Sequence, residues 1–110
     1  MTKAATLERT CLFTIDSLNT VSTMPEAISA LSALNTLLYR PEDQALAAAT
    51  NITLNRLRSR LISEASPDYW LEQYIDSDGE LKSEAIELVG DIVSERRSQI
   101  EAIDEVLLSL

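Results

Sequence analysis

Glycine and proline are scarce in this chain, with two glycines and three prolines among 110 residues. Tight turns between strands depend on glycine and proline, and phosphate-binding loops depend on glycine, so such a chain has few places for either. Alanine, leucine and glutamate are plentiful instead, and all three favour helices. We therefore predict an all-α fold, a small bundle of four to five helices in a single domain spanning residues 1–110.

Apolar residues at helical spacing define the first predicted helix, over about residues 6–19. Leu12 and Phe13 widen its inward stripe, which consists of Leu7, Cys11 or Thr10, Thr14 or Ile15, and Leu18. The second helix is predicted to end near residues 39–40 and to bury apolar residues at three- and four-residue steps: Ala27, Ile28, Leu31, Leu34, Leu37 and Leu38.

The beginning of the second helix resembles a capping box. In this pattern the Thr23 hydroxyl accepts a hydrogen bond from a first-turn amide, and Glu26 reaches back. Pro25 is tolerated in the first turn. A third helix is predicted to open at residues 41–43 and to end near Ala65, and a short fourth helix to cover about residues 67–75.

A polar break at residues 75–79 precedes the longest predicted helix, about residues 80–110, which is capped by Ser77 or Asp78 and can project past the bundle. Gly90 lies inside it at a cost of about 1 kcal/mol against alanine, which indicates a close helix crossing or a slight kink. Its apolar seam alternates steps of three and four residues: Ile86, Val89, Val93, Arg96, Ile100, Ile103, Leu107 and Leu110.

The chain has no histidine and only one cysteine, Cys11. Ser/His and Cys/His nucleophilic pairs are therefore excluded, as are conventional zinc sites. We expect Cys11 to be a small buried residue. No catalytic residue, cofactor or metal site is predicted, and the expected function is not enzymatic.

Charge is distributed unevenly along the sequence. Residues 64–110 hold 13 acids and three bases, whereas residues 1–63 hold five acids and six bases. The acidic half repels nucleic acid, so we expect no direct binding to it. Clustered carboxylates suit a basic protein partner, including a surface that itself binds nucleic acid. The alternative is a solvated helix face that only keeps the chain soluble.

A candidate partner-binding surface combines these acids with the aromatic residues of the fourth helix, because tyrosine and tryptophan are frequent in interface hot spots. Its members are Tyr69, Trp70, Glu72, Tyr74, Asp76, Asp78, Glu80, Glu84, Glu87 and Asp91. Trp70 has an alternative role as the anchor of the short helix on the bundle. The chain would then act as an inhibitor or adaptor.

The seam of the last helix gives a second hypothesis, a structural homodimer or assembly subunit joined through this helix. The predicted dimer seam consists of Val89, Val93, Arg96, Ile100, Ile103 and Leu107. Since an unpaired buried charge is costly, we expect Arg96 to face an acid on another helix or to lie at an exposed point.

Two further clusters have simple structural explanations. Arg56, Arg58 and Arg60 could bind an anion, but pairing with the acidic half of the same chain explains them equally well. The segment 76–81 resembles the centre of a calcium-binding EF-hand loop, yet Tyr74 and Ala85 stand where the first and last ligands belong. We expect a polar turn there.

No apolar run approaches the about 20 residues that a transmembrane helix needs. Charged residues, including Glu8 and Arg9, interrupt the N-terminal region, so no signal-peptide core is present. We expect a cytoplasmic protein that does not associate with membranes.

Overall fold

The computed structural model describes residues 3–75, 79–80 and 82–110, with side chains from residue 5 onward. This part of the chain contains five α-helices, and the all-α prediction with a long C-terminal helix is confirmed. Two short 3-10 turns, Leu18–Val21 and Glu72–Tyr74, follow the first and fourth helices. The α-helices are α1 (Lys3–Ser17), α2 (Pro25–Tyr39), α3 (Gln44–Glu64), α4 (Pro67–Leu71) and α5 (Ser83–Ser109).

The capping box predicted for α2 is wrong. Met24 is the N-cap residue and makes no side-chain hydrogen bond to the helix. Glu26 instead accepts two hydrogen bonds from Arg60 Nη1 at 3.1 and 3.2 Å. The tertiary contact with α3 therefore uses the carboxylate that the sequence pattern assigned to the cap.

The third helix has the side-chain cap that α2 lacks. Asp43 Oδ1 accepts a hydrogen bond from the Leu46 backbone N–H at 3.0 Å, so α3 begins at Gln44. One orphan amide of the first turn is thereby satisfied. The helix ends at Glu64, close to the predicted residue.

The last helix begins three residues later than predicted. Its N-cap is Lys82, without a side-chain hydrogen bond, so neither Ser77 nor Asp78 occupies the cap position. Both of these residues lie outside the described part of the chain. Gly79 has a backbone φ of +78°, in the left-handed region that glycine adopts readily, which agrees with a break before α5.

The main core forms where α5 lies against α1 and α3, while α2 packs on α3. Short side chains such as Ala27 and Ala30 are fully buried and let α2 and α3 approach closely. The core cluster consists of Leu7, Cys11, Leu18, Val21, Ala27, Ala30, Leu34, Leu37, Leu54, Leu57, Leu61, Ile103 and Val106.

Several residues predicted to face inward are exposed. Leu12 and Phe13 on α1 are 51% and 58% exposed, and Ile28 on α2 is also exposed. Each of these helices is covered along one stripe only, because neighbouring helices contact α1 and α2 from one side. The apolar residues beside that stripe remain at the surface.

The buried face of α5 also differs from the predicted seam. Ile86 is 53% exposed, and Ile100 and Leu107 are only half-buried. The residues that are buried are Ala85, Val89, Val93, Gln99, Ala102, Ile103 and Val106. The face turns around the helix because α5 meets α4 in its first half and lies against α1 and α3 in its second half.

A buried amide ties α5 to the end of α1. Gln99 is 1% exposed, and its Nε2 donates to the Ser17 carbonyl at 3.2 Å and to Thr20 Oγ1 at 2.9 Å. Thr20 in turn donates to Glu95 Oε1. Nearer the C-terminus, the Thr14 hydroxyl lies 3.1 Å from the Ala102 carbonyl. These contacts make α1 and α5 antiparallel.

The molecule is elongated, measuring 56 × 25 × 18 Å, because one part extends past the main core. Its radius of gyration is 16.4 Å, against about 13 Å for a compact domain of this size. Residues 67–75 and 83–94 form the extension, which we call the arm. Its buried residues Ala85, Val89 and Val93 lie outside the main core cluster.

None of the helices in the described residues combines the length and the apolar character required to cross a lipid bilayer.

Gly90 provides a test of how the arm is packed. No heavy atom lies within 4 Å of a Cβ built at this position, so the close helix crossing predicted from the sequence is wrong. We expect Gly90→Ala to raise the free energy of unfolding by about 1 kcal/mol, because alanine favours the helix and meets no obstacle. Urea unfolding followed by circular dichroism measures this change. A destabilised variant would show that the site is packed more tightly than the structure indicates.

Candidate functional site

Trp70 joins the arm to the bundle. Its indole N–H donates a hydrogen bond to the Glu64 carbonyl at 2.6 Å, across the connection between α3 and α4. The ring is half-buried, and the neighbouring Tyr69 ring meets it edge-on at 5.1 Å between centroids. These contacts favour the anchoring role, so Trp70 is not freely available to a partner.

Arg96 lies over the Trp70 ring, with its Cζ 5.8 Å from the ring centroid. This distance permits a cation–π interaction. Arg96 Nη1 also lies 3.5 Å from Gln99 Oε1, so an aromatic ring and a buried amide share the guanidinium. No acid pairs with Arg96 among the described residues, and the predicted acidic partner is therefore replaced by Trp70.

The other described members of the predicted surface lie on the exposed side of the arm or next to it. Tyr69 and Tyr74 are 44% and 37% exposed. Asp76 and Asp78 lie outside the described residues. The acids whose placement is described are all exposed, namely Glu72, Glu80, Glu84, Glu87 and Asp91.

The acids on α5 that belong to the arm form no ion pair among the residues whose side chains are described. Across residues 3–75, 79–80 and 82–110, no ion pair involves Glu84, Glu87 or Asp91. Helical spacing puts Glu87 and Asp91 one turn apart, and Glu84 nearly one turn before Glu87. Their mutual repulsion makes a cationic partner favourable at this surface.

The arginines of α3 behave differently because two of them pair inside the chain. Arg58 Nε lies 2.6 Å from Asp104 Oδ1 on α5. Arg60 binds Glu26 on α2 and lies 3.5 Å from Glu64 Oε2. Pairing with the acidic half is thus confirmed for Arg58, while Arg60 reaches α2 as well as Glu64. A hydrogen bond from its own backbone N–H, together with Arg60, lowers the pKa of Glu26.

Part of the predicted dimer seam belongs to the interior of the single chain. Val89, Val93 and Ile103 are buried against neighbouring helices of the same molecule. Ile100 and Leu107 are half-buried and pack against the main core. A dimer through α5 would therefore have to use other positions of the helix, and its formation stays a prediction.

The remaining features singled out from the sequence are Cys11 and the EF-hand-like segment. Cys11 is fully buried, as expected, and burial raises the pKa of its thiol to about 11. Residues 76–78 and 81 of the EF-hand-like segment lie outside the described residues. In the part of the chain that is described, no group of three or more His, Cys, Asp or Glu residues could hold a metal ion.

Sequence reasoning missed the apolar side of the arm. Pro67 and Leu71 on α4 face Ile86 and Gly90 on α5 across an open groove. Pro67 and Leu71 are four residues apart and therefore share a face of α4, and this spacing is the sequence signal that indicates an apolar side. The residues of the groove also fit other patterns, since Ile86 has the spacing of the α5 seam and Pro67 suits a helix start.

Comparison of the chain with protein-family models, with curated proteins and with solved structures gave no match.

The anchoring role of Trp70 leads to a direct test. We expect Trp70→Phe to lower the free energy of unfolding by about 1–2 kcal/mol, because phenylalanine has no N–H for the Glu64 carbonyl and a weaker attraction for Arg96. Thermal or urea unfolding followed by circular dichroism measures the loss. Tyr69→Phe is the matched control, since it keeps an exposed ring and removes only a hydroxyl. Equal stability of the two variants would contradict the anchoring role.

Proposed function

We propose that this protein is a non-enzymatic protein-binding module, an inhibitor or adaptor, whose acidic arm docks on a basic surface of a partner protein. The observation that carries the proposal is the set of exposed carboxylates on the arm, Glu84, Glu87 and Asp91, which have no ion pair within the described chain. The bases best placed elsewhere to neutralise acids, Arg58 and Arg60, already form internal pairs.

The arm carries both kinds of group that such docking needs. The carboxylates attract a basic surface over a distance and raise the rate of encounter. Tyr69 and Tyr74 offer exposed aromatic area that a partner can bury. Trp70 contributes indirectly, because it holds α4 against the bundle.

Carboxylates on one side of a helix also resemble the charge pattern of a nucleic-acid backbone. A partner that normally binds nucleic acid would then be blocked by the arm. In that case, added duplex DNA competes with this protein for the partner. A partner retained unchanged in the presence of DNA would be basic without being a nucleic-acid-binding protein.

The docking proposal predicts that reversing the arm acids abolishes capture of a basic partner. The variant is Glu84→Lys, Glu87→Lys, Asp91→Lys, and its matched control is Glu42→Lys, Glu101→Lys, Glu105→Lys, which changes the net charge equally at exposed positions outside the arm. Wild type and control should retain the same lysine- and arginine-rich protein from the host extract at about 0.1 M salt. They should release it at about 1 M, where the Debye length falls to about 3 Å.

Mass spectrometry identifies the retained protein, and circular dichroism checks that both triple variants fold. Equal retention by the arm variant and the control would contradict the proposal. The same holds if the chain associates only with itself in analytical ultracentrifugation, which would instead support the homodimer.

A further inference from the structure

A groove with an apolar lining runs along the arm between α4 and the first half of α5. It encloses about 320 Å³ and is open to solvent. Val89 and Val93 are buried beneath it, whereas Ile86 is half exposed on its wall. The residues that give the groove its apolar character are Pro67, Leu71, Ile86, Val89, Gly90 and Val93.

Gly90 has no evident use in the packing of its own chain. It lies inside α5, where glycine is unfavourable, and a Cβ built there has no heavy atom within 4 Å. Its backbone φ is not in the left-handed region, so the fold does not require glycine at this position. The missing side chain leaves a low point in the groove wall, through which another backbone can approach closely.

Among the described residues, no acid lines the groove itself, but three acids neighbour its lining residues along the two helices. Glu87 and Asp91 flank Gly90 along α5, and Asp68 follows Pro67 on α4. All three are exposed and, in the described chain, none has an ion pair. An occupant that fits this pattern has an apolar face for the groove and cationic side chains along its edges. An amphipathic helix rich in lysine or arginine has both.

We infer that the groove between α4 and α5 binds a basic amphipathic helix of a partner protein. This inference rests on the proposed function and specifies its contact. A second copy of this chain fits less well, because a two-fold contact between two arms would bring Glu87 and Asp91 against identical acids. The acids next to the lining residues therefore favour a basic partner helix over a second copy of this chain.

Arg97 lines one end of the groove and is the one base among its lining residues. Its positive charge repels a basic occupant at that end of the groove. Reversing its charge should therefore strengthen binding, whereas most substitutions at an interface weaken it. This expected gain makes the sign of the occupant's charge directly testable.

The test uses a fluorescently labelled peptide of about 18 residues, built from leucine and lysine with all leucines on one helix face, at about 0.1 M salt. A scrambled peptide of the same composition has the same charge but no apolar face. Gly90→Gln fills the low point without changing the charge, and Gly90→Ala is its matched control. Both residues favour a helix over glycine, so both variants should fold with a Tm no lower than that of wild type.

Fluorescence anisotropy should show the wild type binding the amphipathic peptide about tenfold more tightly than the scrambled one. Gly90→Gln should weaken binding of the amphipathic peptide about tenfold, and Gly90→Ala by no more than about threefold. Arg97→Glu should tighten it severalfold. These results together would establish the groove as the contact.

Equal binding of the two peptides with no effect of Gly90→Gln would overturn the inference and leave the acidic docking function intact, because charge alone would then explain binding. Absence of binding by either peptide would also overturn the inference. The capture experiment with the variant Glu84→Lys, Glu87→Lys, Asp91→Lys then shows separately whether docking through the acids fails as well. A wild-type dimer in sedimentation that Gly90→Gln dissociates would assign the groove to a second copy and would equally overturn the inference.

Discussion

The difference in length between α5 and its neighbours determines how the molecule is built. At about 1.5 Å per residue, the 27 residues of α5 span about 40 Å, whereas the 15 residues of α1 span about 22 Å. Thr14 of α1 and Thr20 of the following 3-10 turn contact α5 at Ala102 and Glu95, in its second half and near its middle. The first half of α5 extends beyond the end of α1, and α4 covers only part of it. The arm acids Glu84, Glu87 and Asp91 and the groove between α4 and α5 both lie on this first half of α5.

The boundary between the two halves is marked by polar contacts. The Gln99 side chain donates a hydrogen bond to the last carbonyl of α1 and accepts one from Arg96. The Arg96 guanidinium in turn lies over the Trp70 ring of α4. Gln99 makes its buried hydrogen bonds, whereas Arg96 Nε is buried without a hydrogen-bond partner in the described chain. The position of α4 therefore depends on the contact between Arg96 and the Trp70 ring and on the Trp70 hydrogen bond to Glu64. The arm is thereby presented in a defined orientation, although few apolar side chains support it.

The sequence predicted the helices well, because the apolar spacing and the prolines at the starts of α2 and α4 act locally. It predicted less well which face of each helix is buried. Ile86 fitted the seam of α5 by spacing but is exposed, while Gln99 is polar and fully buried. Spacing cannot show that the neighbours of α5 change along its length. Glu26 was assigned to a helix cap and instead pairs with Arg60 on α3, a partner 34 residues away that only the tertiary fold brings close.

Trp70 is the only tryptophan in the chain, and its position gives the protein a local optical signal. Its fluorescence depends on the contacts that hold α4 in place, whereas far-ultraviolet circular dichroism is dominated by the long helices α3 and α5. If the arm detaches before the bundle melts, emission changes while most of the helical signal remains. The two unfolding curves coincide only if arm and bundle unfold as one cooperative unit. The natural chain can therefore report, without any added label, whether its two parts are energetically coupled.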